Sequence, residues 1–350
     1  MNQKTRHNKR LLLTISGSLV FLIMCGCGSK AEFTQYMHPE LLYLKEQPYS
    51  HLYVEVDSVE GVEVPDEWLN VLKEFLAARC SKPDGIRIVI DEPIAYDDIK
   101  DMPIGPASLL CIDGPDPNSG PQPAYLHVFF YNKKKIFKKA VKNPFVTMNC
   151  PTTIFYNADY GYRLDTLIKF TLPHEAGHIL GLCINESHSD GSHCTNKGCL
   201  MRESAGYLES LWFLLFGVPL KSNLCVECAS DLAHYKSQSA DPNLTFEGPF
   251  LIRRENGYSV ATLPYCIMLI PQALENEFSC HDILASIKEQ CRDNKDRYDV
   301  KGILILKSED GSKPDMNLYR DTLVKASDDL DLQVRHYAAE ELERLEQDQR

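Results

Sequence analysis

The order of elements in the sequence predicts an α/β or α+β layer fold. Three apolar, strand-like runs at 86–90, 124–131 and 152–156 lie between a first amphipathic helix and a second helix. The 350 residues are enough for about two domains. We therefore expect a mixed sheet with packed helices over 39–240, and a smaller C-terminal α/β or helical region over 241–350.

The first helix and first strand follow from local signals. The helix is predicted over 64–76, with Pro65 near its start and acidic residues in its first turn. A Pro-Asp-Gly turn at 83–85 leads into Ile86–Ile90. The unbroken apolar character of that run predicts a buried strand.

The chain between this strand and the second helix contains a loop and two strands. Residues 101–123 are rich in proline and glycine and predict a long surface loop. Strands are expected at Ala124–Tyr131 and Thr152–Tyr156. The helix that follows is expected to stop at Gly181, because glycine readily adopts the left-handed conformation that ends helices.

The C-terminal region is expected to begin near a turn at 241–243. A strand is predicted at Val300–Leu306 and an amphipathic helix at the end of the chain. At helical spacing, five residues of that helix share one face: Leu330, Val334, Ala338, Leu342 and Leu345.

Composition narrows the class of protein. The net charge of −12 argues against nucleic acid as a partner. After the N-terminus, no apolar run reaches the ~18 residues that span a bilayer. The 13 cysteines are scattered too widely for a small disulfide framework, so we expect a subset of them to bind metal.

The N-terminus has the pattern of an export signal. Four basic residues precede the apolar run Leu11–Met24, and a Met-Cys-Gly-Cys sequence follows. This resembles a bacterial lipoprotein signal over 1–26, with Cys27 lipidated and Cys25 as the alternative. Loss of four basic and no acidic residues would take the net charge from −12 to −16. The resemblance implies a cell-envelope protein held to a membrane by its lipid, with 27–38 as a tether.

The chemistry is concentrated in a His-Glu-Ala-Gly-His motif. His174 and His178 lie four apart on the predicted helix, so both can bind one Zn²⁺. Glu175 lies between them, where it can act as a general base. Pro173 leaves two possibilities for this helix: it begins near Thr171, or it begins at Asp165 and kinks.

The residues after the motif resemble the archaemetzincins, a family of metzincin peptidases. Gly181 follows His178 at the spacing of the metzincin turn, but Ile184 occupies the usual place of the third histidine. His193, nine residues later, is followed by the family's Cys-x4-Cys-x-Met and later Cys-x-x-Cys. That pattern contains Cys194, Cys199, Met201, Cys225 and Cys228. An insertion rich in small polar residues accounts for the displacement, because loops tolerate insertions.

The resemblance implies a role for each matched residue. His174, His178 and His193 would hold a catalytic Zn²⁺, and Glu175 would transfer protons during peptide hydrolysis. Met201 would form a hydrophobic floor beneath the metal. The four cysteines of the pattern would hold a second, structural Zn²⁺, with a disulfide or buried thiols as the alternative for each pair.

The resemblance also implies that a peptide or protein substrate pairs with an edge strand of the sheet. Ala124–Tyr131 and Thr152–Tyr156 are candidates for that edge. The substrate, the oligomeric state and the state of the other seven cysteines stay open.

Three alternatives remain. His188 competes with His193 as the third ligand. Glu203 or Glu209 would replace it in a gluzincin-type peptidase. A non-catalytic, zinc-stabilised binding module is the alternative from another class, although such a module has no need for Glu175.

Overall fold

The computed structural model describes residues 38–100, 102–116, 118–132, 145–146, 152–157, 165–203, 223–264, 266–274, 279–293 and 315–347. Several predicted features lie outside these ranges: the signal segment 1–26, Cys25, Cys27, most of the tether, Cys150, Glu209 and the strand at Val300–Leu306.

The predicted mixed sheet is confirmed. Its five strands are β1 (His51–Ser58), β2 (Gly85–Ile90), β3 (Ala124–Tyr131), β4 (Phe145–Val146) and β5 (Thr153–Asn157). They lie in the order β2-β1-β3-β5-β4, with β4 antiparallel to β5 and the other neighbours parallel. Strand β3 is buried along its whole length. Its nearly continuous apolar sequence is typical of a parallel strand that is covered on both faces.

The helices of this part of the chain are α1 (Pro39–Leu44), α2 (Asp66–Ala77), α3 (Tyr96–Ile99), α4 (Ile104–Cys111), α5 (Asp165–Ile179) and α6 (Val226–Ser237). Helices α2 and α5 pack together on one face of the sheet. There, Trp68 of α2 contacts Phe130 and Tyr156, with ring centroids 6.1 and 5.7 Å apart. Among the described residues, no helix combines the length and apolar character needed to cross a membrane.

Three local predictions are wrong. The expected surface loop over 101–123 contains α4, most of which is buried because its residues are apolar on all sides. Strand β2 lies at the outer side of the sheet instead of inside it, and Ile90 is 51% exposed. Strand β3 is central and β5 is covered by β4, so neither is an edge of the sheet in the described chain.

A second, antiparallel sheet follows. It contains β6 (Leu244–Glu247), β7 (Phe250–Glu255), β8 (Tyr258–Leu263) and β9 (Cys266–Pro271) in sequential order. Its core continues into the first sheet, where the Phe246 ring contacts Tyr43 and Tyr49 at centroid distances of 5.2 and 5.5 Å. The Phe246 N–H also donates to the Tyr49 hydroxyl oxygen at 2.6 Å.

The remaining helices are α7 (Cys280–Asp293), α8 (Met316–Ala326) and α9 (Leu332–Gln347). Helices α8 and α9 pack against the second sheet in a separate apolar cluster with Tyr258 and Val260. The predicted terminal helix is present, but Leu330 precedes it and is 61% exposed. The other four predicted residues of its apolar face belong to that cluster.

A buried polar network lies on the face of the first sheet opposite α2. Glu55 of β1 accepts hydrogen bonds from the backbone N–H groups of Asp113 and Gly114, at 2.6 and 2.7 Å. Asp57, two residues along the same strand, is 2.9 Å from Nε2 of His127 on β3. Burial raises the pKa of Glu55 to about 7 and that of Asp57 to about 8, and lowers the pKa of His127 to about 4.

This network predicts that stability falls as the pH rises above 6.5. The folded protein keeps the Asp57 proton up to a pKa of about 8, whereas the unfolded chain releases it near 4. The ionisation of Asp57 in the unfolded chain therefore lowers the free energy of unfolding as the pH rises through this range. The decrease is at most about 1.4 kcal/mol per pH unit. His127 has the opposite effect only below pH 6.5, where the unfolded chain takes up its proton.

We expect the free energy of unfolding of Asp57→Asn, measured with urea, to fall less steeply between pH 6.5 and 8 than that of the wild type. Asp97→Asn is the matched control, because Asp97 is 81% exposed. If the free energy of unfolding falls equally steeply with pH in the wild type and in both variants, the prediction is wrong.

Candidate metal centres

Helix α5 carries the first two histidines. It begins at Asp165 and contains Pro173 in its interior, which decides between the two starts left open by the sequence. His174 and His178 project from one face, with their Nε2 atoms 3.1 Å apart. Nδ1 of His174 lies 2.8 Å from the Leu200 carbonyl oxygen. A hydrogen bond from this Nδ1–H leaves Nε2 with a free lone pair for a metal.

The turn after α5 requires glycine. Gly181 has φ +82°, and a Cβ there would lie 2.8 Å from Cγ of Glu40. One turn earlier, a Cβ on Gly177 would lie 2.4 Å from Sδ of Met201. The fully buried Met201 thus packs directly against α5 between the two histidines.

A loop over residues 185–192 brings the chain back to the histidines of α5. Asp190 Oδ1 accepts hydrogen bonds from the backbone N–H groups of Ser192 and His193, at 2.9 and 2.7 Å. An isolated antiparallel bridge joins Ser189 to Cys194. The loop therefore closes on itself and places His193 beside α5, with its ring centroid 5.4 Å from that of His174.

The three histidines form a group suited to a metal. One ring nitrogen from each of His174, His178 and His193 lies within 4.8 Å of the others. Burial lowers the pKa of all three, to about 4 for His174, and the proximity of the other rings lowers the pKa of His178 and His193 further. The rings are therefore neutral near pH 7, which is the state that binds a metal.

Glu175 is next to this group. Its side chain is 4% exposed, and its negative charge acts to raise the pKa of His193 against the effect of burial. A buried carboxylate close to three neutral imidazoles is positioned to exchange protons with a molecule bound there.

Four cysteines form a second group. Cys194, Cys199, Cys225 and Cys228 place their sulfur atoms within 4.8 Å of one another. The Cys194 and Cys225 sulfurs are 3.6 Å apart, and those of Cys199 and Cys228 are 3.7 Å apart. No disulfide links any of the ten cysteines in the described part of the chain.

The backbone around the cysteines suits negatively charged sulfur. The N–H groups of Met201 and Cys225 both point at the Cys199 sulfur, at 3.4 and 3.3 Å. The Cys225 sulfur caps α6 by accepting from the N–H of Cys228 at 3.4 Å. Mutual contact and burial raise the thiol pKa values, so the group as a whole ionises only with a cation to balance it.

One short stretch, residues 193–201, joins the two groups; we call it the bridging segment. It begins with His193 and Cys194, one residue from each group. It ends with Cys199, the Leu200 carbonyl that orients His174, and Met201. The N–H of Cys194 donates to the Met201 carbonyl oxygen at 2.7 Å, which ties the two ends together. The geometry of the histidine group therefore depends on that of the cysteine group.

Two of the alternative third ligands, His188 and Glu203, are not in the histidine group, and the other, Glu209, lies outside the described residues. His188 turns to Asp231, with Nε2 2.7 Å from Oδ2, and its Nδ1 lies 3.7 Å from the Cys194 sulfur. Glu203 is exposed and is not among the grouped ligand atoms. The arrangement favours His193 over both, although its role stays a prediction.

Metal stoichiometry should separate the two histidines. If each group binds one metal ion, we expect His193→Ala to lose one of the two by native mass spectrometry, because it removes one of three histidine ligands. His188→Ala should keep the same number of ions as the wild type, since His188 pairs with Asp231. The reverse pattern would assign the third ligand to His188.

Sequence reasoning missed several supporting groups. Cys183 has φ +74° and its sulfur lies 3.9 Å from the Met201 carbonyl oxygen. The buried Arg202 donates to the Cys199 carbonyl oxygen at 2.8 Å and lies over the Phe170 ring at 4.7 Å. Cys183 and Arg202 belong to none of the sequence motifs, so motif spacing could not identify their contacts.

The fold and these groups define a mixed α/β protein with two candidate metal centres. No protein-family model matches the chain, and a search of curated proteins found no significant match. Among solved structures, the chain is similar to archaemetzincin from Methanopyrus kandleri, at 15% identity and a TM-score of 0.34. The alignment covers 54% of this chain and 97% of that one. Because a TM-score this low assigns neither a family nor an activity, we base the function on the side chains described above.

Proposed function

We propose that the protein is a zinc-dependent peptidase. The observation that supports this most strongly is the histidine group itself: three neutral imidazoles, with Glu175 directly after the first of them. Three histidines are a typical ligand set of catalytic zinc, because they leave a fourth position open. A group that served only to stabilise the fold would have no use for a buried carboxylate at its side.

The donor atoms suit zinc. Nε2 of His174 faces Nε2 of His178, and the Leu200 carbonyl holds the first ring in the tautomer that a metal requires. Zn²⁺ bound by these rings would supply Lewis acidity, which lowers the pKa of water and polarises a peptide carbonyl.

The protein's own residues would handle the protons. Glu175 would take a proton from the attacking water and pass it to the leaving amine as the C–N bond breaks. Its burial would keep bulk water away, so the carboxylate would act on bound water and substrate. Met201 would fix the position of α5 and of its two histidines, because it packs directly against Gly177.

We propose further that the four cysteines hold a second, structural zinc. A four-thiolate set is typical of closed structural sites, and the N–H groups directed at its sulfurs support the charged form. The bridging segment would then be rigid at both ends.

Cleavage of a broad peptide library by the purified protein tests the activity. We expect hydrolysis that a zinc chelator abolishes and added Zn²⁺ restores, with products identified by mass spectrometry. If the zinc-loaded protein cleaves no peptide, the function is that of a zinc-stabilised binding module, and Glu175 requires another explanation.

Lipid attachment at Cys27 stays a proposal from the sequence. It would place the peptidase in the bacterial cell envelope with access to extracytoplasmic peptides. Mass spectrometry of the N-terminal peptide from membrane extracts tests it, because a diacylated Cys27 differs in mass from a free one.

A further inference from the structure

Strand β2 has a free outer edge in the described part of the chain. The N–H of Asp91, just after the strand, donates to the Val56 carbonyl oxygen of β1 at 3.1 Å. Because hydrogen-bonding directions alternate along a strand in a parallel pair, the backbone groups of Ile86, Ile88 and Ile90 point away from β1. Such a row of outward donors and acceptors is a template for another strand.

A groove of mixed polarity runs beside this edge. It has a volume of about 540 Å³ and lies between α2 and β2. Leu69 and the three isoleucines of β2 supply its apolar lining, and Asp66, Asn70, Lys73 and Arg87 its polar lining. Ile90 is 51% exposed, so part of this apolar side chain is accessible beside the edge.

The strand is complementary to itself in charge. Arg87 and Asp91 lie two residues before and two residues after Val89, on the face opposite the isoleucines. If two copies pair antiparallel about Val89, Arg87 of each faces the partner's Asp91. A strand from an unrelated protein would need the same two charges at the same spacing.

The charge around Asp91 favours such a partner. The carboxylate oxygens of Asp91, Glu55 and Asp57 lie within 4.8 Å of one another. The nearby Lys288 already pairs with Asp113 at 2.7 Å. A guanidinium arriving from outside would pair with Asp91 and favour its ionised form.

We propose that two copies of this chain associate through β2, forming one continuous sheet with a two-fold axis at Val89. In this register, the outward-facing Ile88 pairs with the partner's Ile90 and both backbone hydrogen bonds form. The two Arg–Asp pairs occupy non-hydrogen-bonded positions, where opposing side chains are closest. Shifting the axis to Ile88 would place Arg87 opposite an apolar Val89, so the charges select the register. The proposal is independent of the peptidase activity.

Sedimentation velocity across the micromolar range tests this with four proteins. We expect the wild type to dimerise, and Arg87→Asp or Asp91→Arg alone to weaken the dimer at least about tenfold, because like charges then meet twice. The double variant Arg87→Asp/Asp91→Arg should restore wild-type association, since the pairs are re-formed with their signs exchanged. Lys100→Asp, at a 49% exposed lysine, should change nothing.

Hydrogen exchange of the wild type locates the interface without any substitution. The amides of Ile88 and Ile90 should exchange more slowly as the protein concentration rises, while the amide of Asp91, already bonded to β1, should not change. A protein that stays monomeric at high micromolar concentration overturns the proposal. So does a dimer that the single charge reversals leave intact.

Discussion

Glu175→Ala is expected to reduce peptide hydrolysis by roughly a thousandfold or more while both metals stay bound. Loss of a general base typically costs a factor of 10² to 10⁴, and Glu175 would serve in both proton transfers. The side chain is not one of the grouped ligand atoms, so zinc content should not change. Rates on a cleaved library peptide, together with metal analysis of the same samples, test both parts.

Glu186→Ala is the matched control. Glu186 lies in the loop over residues 185–192, is exposed, and is close in sequence to the histidines. It should keep the wild-type rate. A Glu175→Ala protein that retains most of its activity would show that another group moves the protons. A variant that loses zinc as well would place Glu175 among the ligands.

The second large effect is expected for Cys199→Ser. The Cys199 sulfur receives two backbone N–H groups and contacts the Cys228 sulfur, so it is central to the cysteine group. Structural zinc contributes about 10 to 16 kcal/mol of apparent binding free energy in small domains, and much of this is folding free energy. We expect the variant to lose the structural metal and to unfold at a much lower temperature.

The loss should extend to the histidine group. Without a fixed Cys199, Leu200 no longer holds the His174 ring and Met201 no longer supports Gly177. We therefore expect the remaining zinc to bind 10- to 100-fold more weakly, the usual cost of disturbing an outer-shell contact.

His193→Ala should lose one metal and keep the other, because it leaves the four cysteines in place. Cys111→Ser is the control, because Cys111 is outside both groups and its sulfur donates to the Ala107 carbonyl oxygen of its own helix. Normal affinity at the histidines of Cys199→Ser would show that the two groups are independent.

Local patterns predicted the parts of the site that lie close together in the chain. The i, i+4 spacing of His174 and His178 is enough to place both rings on one side of α5. His193 is predicted from its offsets to the cysteines and Met201, through the resemblance to the archaemetzincins, and it lies beside His174 in the structure. In each case, the information lies within a few turns of chain.

The errors concern features that depend on distant contacts. Proline and glycine at 103–106 indicated a loop, but proline suits the first turn of α4, and the sheet and α7 provide apolar surface to cover the rest. The network of Glu55, Asp57 and His127 requires the pairing register of β1 and β3, which no single segment specifies. The outer position of β2 depends likewise on the strand order.

The contact of Tyr49 with Phe246 has a consequence for biosynthesis. The two residues are 197 positions apart, yet their rings and backbone belong to the same core. A nascent chain emerges N-terminus first. Part of the apolar surface of β1 and its neighbours therefore stays exposed until β6 has been synthesised. Closing so long a loop is slow. The same contact implies that a fragment ending near residue 240 would expose Tyr43 and Tyr49 to water.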